Sequence, residues 1–417
     1  MDNTKNKIID YLQEPKQLET LYQENPKQFL IWFDEAVTQH PDSTILQVWQ
    51  ARLSYTKPTS PTHYKKLFFV IIASFIATIL IKSPEYTPIS ENWFYSRFPS
   101  LIMIGALILY FMHFFVASLQ QKQMVIGVFL SLIIVIALLP SENTSDSTVM
   151  SLIHLPLVLF SLLGISYMAE EWRSAEARLR YIRYLGDTMI YTVLILIGGI
   201  ILTSITLGLF KGINLSIESW YMSYIIPLGL VAAPLVATFL YDEILGRESK
   251  LATLIANTFA PLFLVTVIGY LLTMLVLQKN PYMERDFLII FNGLLLIVWG
   301  ISVFSLSERV VKVHSSKLSD FISIALILTT LVINIIALSA ILFRLVEYGI
   351  TVNRIVVIGA NILIFIHLSL ILNSYLKFIK QQVTGDSLIQ VIGSYLPIYT
   401  AWSMFVVVVL PVVSGFA

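Results

Sequence analysis

Three stretches, Leu101 to Ala117, Met189 to Phe210 and Phe287 to Val303, are apolar at almost every position rather than along one face. A helix built from such a stretch has no wet side, so it needs hydrocarbon around it. One helix of that kind can hide in a soluble core, but a long series of them cannot. The chain is 57% hydrophobic and 13% charged with a mean hydropathy of +0.79, against about half apolar and about a quarter charged in soluble domains. The fold class that follows is all-α: a polytopic transmembrane helical bundle with a small N-terminal helical cytoplasmic cap.

Eleven segments are expected to span. In the first half they are Leu67 to Ile81, Pro99 to Leu119, Met124 to Leu139, Val149 to Ala169 and Thr188 to Phe210. The second half adds Tyr221 to Tyr241, Leu251 to Leu277, Phe287 to Leu306, Phe321 to Phe343, Ile355 to Leu376 and Tyr395 to Phe416. Most reach the length needed to cross about 30 Å of hydrocarbon at 1.5 Å per residue; the first and third are short for it. Segments alternating with the N-terminus carry 16 Lys and Arg, leaving aside four deep in the cap, and the opposite loops carry 7. The excess of basic residues predicts a cytoplasmic N-terminus, and an odd number of spans then puts Ala417 outside. No early apolar run precedes the first span, so no cleavable signal peptide is expected and that span acts as the insertion signal.

Residues 1–63 form the expected cap and 64–417 the membrane domain. Within the cap, Pro15 to Gln23, Pro26 to Gln39 and Pro41 to Tyr55 each start on a proline, which fits the first helical turn. Asn25 followed by Gln28 reads as a capping box. Phe29, Trp32, Phe33, Ile45, Val48, Trp49 and Leu53 recur at helical spacing and supply a small aromatic core. Such a cap is either a docking surface for a protein partner or a soluble handle on the membrane domain.

Charge and cysteine usage exclude several classes. A net charge of +1 offers no field for nucleic acid. The absence of cysteine removes disulfides, thiolate chemistry and Cys-ligated metals. All loops between spans are short, so no soluble catalytic domain is inserted. Glycine-rich phosphate loops, nucleophile elbows, His-Glu-x-x-His and carboxylate pairs at catalytic spacing are all missing, so no catalytic residue, metal site or cofactor is assigned. The segment Glu170 to Asp187 carries Arg173, Arg178, Arg180 and Arg183 with Trp172, Tyr181 and Tyr184. It reads either as a helix on the inner leaflet held by anionic lipid, ended by Gly186 with Asp187 capping the next span, or as a solvated extension of the fourth span. Glu176 and Arg180 fit an i,i+4 pair.

Polar groups inside spans are costly, so they point to a task. Span interiors show almost no charge, which argues against a carboxylate-driven pump. Asn292, Asn334 and Asn361 fall in the outer half of the membrane, with Arg344, Glu347 and Arg354 just beyond. Arg354 and Asn361, seven residues apart, share a helix face. These six residues are the candidate substrate-binding set, an outward vestibule. The competing reading treats each asparagine as interhelical glue, worth about 0.6 to 2 kcal/mol, and Arg344 with Glu347 as a neutralised pair. His113, His154 and His367 lie at different depths and do not form one metal site. Pro227, Pro234, Pro261, Pro397 and Pro411 mark candidate helix breaks.

The segments LYQENPKQF, YDEILGRESK, NPYMERDFLIIFNGLLL, EYGITVNR and the end YLPIYTAWSMFVVVVLPVVSGF resemble an uncharacterised bacterial multi-pass membrane family, domain of unknown function 4153. The resemblance implies a bacterial inner (cytoplasmic) membrane protein and no activity. The leading expectation is a transporter or permease-like protein for a small polar or anionic solute, in which helices broken at Pro261 and Pro397 move. The alternatives are a non-enzymatic assembly or sensor protein and a membrane-embedded transferase on a lipid-linked substrate.

Overall fold

The computed structural model describes residues 7–54, 61–141, 145–212, 214–247, 251–276, 278, 282, 285–309 and 317–416. Lys57, Lys250, Lys279 and Lys312, part of the basic-residue count, lie outside them. Among the described residues all regular structure is helical. The chain divides into two compact units, Met1–Tyr64 and Lys65–Ala417.

The N-terminal unit contains α1 (Lys7–Asp10), α2 (Pro15–Glu24), α3 (Pro26–Gln39) and α4 (Thr44–Ser54). Pro15 and Pro26 sit in first turns, and the Asn25 side chain accepts the Gln28 N–H at 3.1 Å. Ile8, Leu18, Phe29, Phe33, Ala36, Leu46 and Trp49 form the core. Leu46 takes the inward position expected of Val48, which is 62% exposed, because 46, 49 and 53 keep the 3–4 spacing of one face.

The second unit is a helical bundle. Its helices are α5 (Pro61–Ile81), α6 (Glu91–Arg97), α7 (Pro99–Phe114), α8 (Leu119–Leu138), α9 (Asp146–Met168) and α10 (Ala175–Gly212). They continue as α11 (Glu218–Ile244), α12 (Leu251–Val276), α13 (Arg285–Arg309), α14 (Lys317–Tyr348), α15 (Val352–Ile379) and α16 (Gly385–Val413). Nine of the described helices are long and apolar enough to cross a membrane, or ten counting α6 and α7, bent by 43° at their junction, as one broken span. The described apolar part of α13, Phe291–Leu306, is shorter. Each of the eleven expected segments lies largely on a helix of this set, and their outward faces are apolar, as at Ile200 and Ile201 of α10, 66% and 56% exposed.

Two boundaries differ from expectation. The second segment stops at Phe114, and the third begins at Leu119, where the Ser118 hydroxyl caps the Gln121 N–H. The glutamines that read as loop are therefore helical, and α8 has 20 residues, long enough to span. The segment Glu170 to Asp187 is not a separate helix ended by Gly186. Helix α10 runs unbroken for 38 residues through both Gly186 and Asp187, so Asp187 is a buried mid-helix side chain and caps nothing. Arg180 pairs with Glu171 rather than Glu176.

Three span prolines share one device. A proline inside a helix leaves the carbonyl four residues earlier without its N–H donor. For Pro227 that carbonyl is Ser223, which accepts from Lys82 Nζ at 2.6 Å. For Pro397 it is Gly393, which accepts from Arg178 at 3.3 Å. For Pro411 it is Val407, which accepts from the Ser151 hydroxyl at 3.2 Å. The backbone just before Pro227 and Pro411 widens into π-turns, Tyr221–Ile225 and Phe405–Val409. Each freed acceptor is thus a socket that ties its helix to a remote one.

Candidate functional site

The six expected site residues separate into two groups. Asn334 on α14 donates to the Asn361 backbone carbonyl at 3.1 Å, and the Asn361 amide on α15 donates to Asn292 on α13 at 3.0 Å. The three asparagines therefore form one chain across three helices. Asn334 and Asn361 are 0% and 2% exposed. Arg344, Glu347 and Arg354 do not join them. Arg344 Nε donates to the Tyr282 carbonyl at 3.0 Å. Glu347 is exposed, and among the described residues no ion pair links it to Arg344. The Arg354 guanidinium donates to the carbonyls of Tyr348, at 3.0 Å, and Gly349. These carbonyls close α14, whose last C=O groups have no helical donor. Gly349, at φ +79, makes the turn that presents them. Sharing a face with Asn361 does not bring Arg354 to it, because the long side chain reaches back to the preceding helix end.

The asparagine chain continues as a column of polar groups. On α14, Asp320, Ser323, Thr330 and Asn334 repeat at helical spacing, and the last three are buried. On α15, Asn361, His367 and Ser374 are buried, with Tyr375 donating to Asp320 at 2.6 Å. On α13, Ser302 and Ser305 are buried, and Ser305 reaches Asn257 of α12 at 2.8 Å. Near the middle of the column, Trp299 Nε1 donates to His367 Nδ1 at 3.1 Å and the Tyr399 hydroxyl of α16 lies 3.0 Å from the same nitrogen. Two buried atoms of this column, Asn334 Oδ1 and Ser302 Oγ, have no hydrogen-bond partner among the described residues, whereas the His367 ring also has the Val391 carbonyl of α16 within reach.

A second polar cluster lies at the end of the bundle where α5 begins, and the sequence reading missed it. The π-turn Leu240–Ile244 closes α11 and fans three consecutive side chains outward. Tyr241 donates to Asp187 of α10 at 3.0 Å. Asp242, whose side chain is 1% exposed, accepts from Tyr110 of α7 at 3.1 Å and from Arg247 Nε at 2.8 Å. Glu243 accepts from Lys66 of α5 at 2.6 Å. The Arg247 guanidinium lies against the rings of Phe115, Tyr167 and Tyr184 at 4.9 to 5.4 Å. To reach them the chain adopts φ +60 at both Gly246 and Arg247. For arginine that conformation is costly and is held by its surroundings. Ion pairs and rings from α5, α7, α9, α10 and α11 thus meet in a clasp. The signal available in sequence was YDEILGR at a span end, with Asp187 hidden by the terminator reading of Gly186.

Outside the spans, burial works against the Lys82 ammonium, and the Glu85 carboxylate at 2.9 Å with Tyr86 and Tyr224 more than compensates, holding its pKa above the ordinary lysine value. No group of three or more His, Asp or Glu among the described residues is placed to hold a metal ion. A cavity of about 540 Å³ between α5, α7 and α8 is lined by apolar side chains, a chemistry suited to acyl chains rather than to a polar solute. Comparison with family models, with curated proteins and with solved structures gives no match, so the chemistry of the column and the clasp carries the functional reading.

Proposed function

We propose that this multi-pass membrane protein is a permease-like carrier of a small polar solute, and that the column between α13, α14, α15 and α16 is its path. The observation that carries the reading is the pair of unpartnered buried atoms, Asn334 Oδ1 on α14 and Ser302 Oγ on α13. An unsatisfied buried polar atom costs about 1 to 3 kcal/mol, and a solute crossing the column meets each of them in turn. The column has no fixed charge between Asn292 and Ser302, so a neutral polar solute suits it better than an anionic one. The clasp at the opposite half of the bundle holds the helices around it. The setting belongs to the proposal too: a bacterial inner membrane, an N-terminus in the cytoplasm, a C-terminus outside, and kinship with the domain of unknown function 4153 family. So does anionic lipid near Arg173, Arg178, Arg180 and Arg183, of which Arg178 also donates to the Gly393 carbonyl and Arg180 pairs with Glu171.

The exposed apolar side chains Leu30, Ile31 and Val48 of the N-terminal unit, 46%, 57% and 62% exposed, favour a second reading in which that unit docks a protein partner. The two separate by experiment. Proteoliposomes are shifted into hyperosmotic solutions of glycerol, neutral amino acids or phosphate, and reswelling is followed by light scattering. Carriage predicts reswelling with at least one solute, abolished by Thr330→Trp, which fills the column. Reswelling no faster than that of empty liposomes with every solute would overturn it.

A further inference from the structure

His367 has no exposed surface and sits among three rings. Tyr395 stacks on it at 4.3 Å and 11°, Tyr399 is at 5.5 Å and Trp299 at 6.2 Å. Its Nδ1 meets two groups of unlike capacity, the Trp299 indole N–H at 3.1 Å and the Tyr399 hydroxyl at 3.0 Å. An indole N–H only donates, whereas a phenol donates or accepts. Nδ1 therefore carries a lone pair in this structure, and the proton of the neutral ring is on Nε2. Adding a proton at Nδ1 turns an acceptor into a donor. Tyr399 can rotate its hydroxyl and accept from it, but Trp299 cannot. The imidazole's contact with α16 survives protonation and its own bond to α13 is lost, leaving the indole the Tyr399 oxygen as acceptor.

We propose that His367 is a proton-operated latch between α13 and α15. Neutral, it holds Trp299; protonated, it releases the indole and keeps Tyr399. The proton comes from hydronium and forms an N–H bond at the Nδ1 lone pair, while Nε2–H stays in place. The face of Tyr395 then stabilises the imidazolium, as aromatic faces do for cations. The titratable groups facing the ring are Tyr395 and Tyr399 of α16, and α13 presents the indole, which does not titrate. Among the described residues no charged side chain of α9, α14, α15 or α16 is in hydrogen-bond, ion-pair or ring contact with it. Releasing Trp299 removes one of the ties between α15 and the helix that carries Asn292 and Ser302, the Asn361–Asn292 bond remaining, so the latch gives the proposed path a proton-dependent state. It deepens that reading by naming its regulation, and it is observable whether or not a solute crosses.

The test is NMR of the full chain in nanodiscs with nitrogen-15 on the indoles, the Trp299 signal being identified by its loss in Trp299→Phe. From about pH 8 to about pH 3.5, that signal moves along a single-site curve, whereas in His367→Gln, whose amide oxygen accepts but does not titrate, it stays fixed. In Tyr399→Phe the charged ring has lost its acceptor, and the midpoint falls by about one pH unit, the equivalent of one hydrogen bond. A Trp299 signal that stays put over the whole range while the other indole signals keep their folded positions overturns the latch. So does an unmoved midpoint in Tyr399→Phe. A latch that titrates in a protein whose liposomes do not reswell refutes carriage and leaves the latch standing.

Discussion

The clasp and the column both bury polar groups, yet they do it in opposite ways. In the clasp, Asp242 and Glu243 each carry a cation, and tyrosine hydroxyls engage Asp187 and Asp242. In the column, apart from Asp320, which Tyr375 engages, the groups are neutral and two atoms lack a partner among the described residues; the clasp's atom of that kind, the Tyr184 hydroxyl, is likewise neutral. The difference follows from magnitude. A buried charge without its partner costs several kcal/mol, so a charged cluster holds only when it is complete. A neutral amide or hydroxyl can stand unpaired for about 1 to 3 kcal/mol. A complete cluster ties helices together; an incomplete one keeps atoms available to something that passes.

That contrast orders the expected effects. Asp242→Ala leaves Arg247 against three rings without its carboxylate, and thermal unfolding in detergent should register a loss of about 3 kcal/mol, the low end for breaking a buried pair because Arg247 keeps some solvent. Gly393→Ala comes next. Its Cβ would lie 2.3 Å from the Ala175 carbonyl oxygen, and backbone on the other side cannot yield as a flexible side chain does. The overpacking should cost about 2 kcal/mol and weaken the Arg178 socket beside Pro397. Asn361→Leu in the column should cost only about 1 kcal/mol, the worth of interhelical hydrogen bonds in membranes. If it costs as much as Asp242→Ala, the distinction between the two clusters fails.

The smallest effect belongs to the N-terminal unit, where Arg52 donates two hydrogen bonds to Glu19 and stacks over Trp49 at 4.5 Å. The bond from Arg52, then that from Gln23, holds the Glu19 carboxyl below its usual pKa. A depressed carboxylate stabilises the folded state above its unfolded pKa of about 4.3 and loses that contribution as pH falls through the folded value. The difference in unfolding midpoint between the native chain and Glu19→Gln should thus be small at about pH 7 and vanish at about pH 2. A difference that grows on acidification would reverse the sign.

The membrane class was legible because apolarity on all sides has no other solution, and the polar residues of the spans stood out by type alone. Which of them meet was not legible. The donors that fill the proline sockets lie 141, 215 and 256 residues from their acceptors, so spacing along the chain carries no trace of them, and Pro397 reads as a free break. His367 looked isolated because its partners, an indole and two phenols, are counted among the hydrophobic residues of the composition and not among the polar ones. The clasp was obscured in the same way by its tyrosines. Gly186 read as a helix end because glycine often is one, but α10 continues through it, with Tyr184 and Asp187 on either side buried against neighbouring helices.

The most direct measurement uses the absence of native cysteine. Single cysteines at Ser302 and Thr330, both buried in the column, and at Leu328 on the outer side of α14, 47% exposed, are treated in proteoliposomes with a small water-soluble methanethiosulfonate. Modification needs a thiolate, which forms where water enters and not against lipid. A polar path through the bundle predicts that Ser302→Cys and Thr330→Cys react and Leu328→Cys does not. Unreactive cysteines at both column positions, in protein that remains folded, would contradict it.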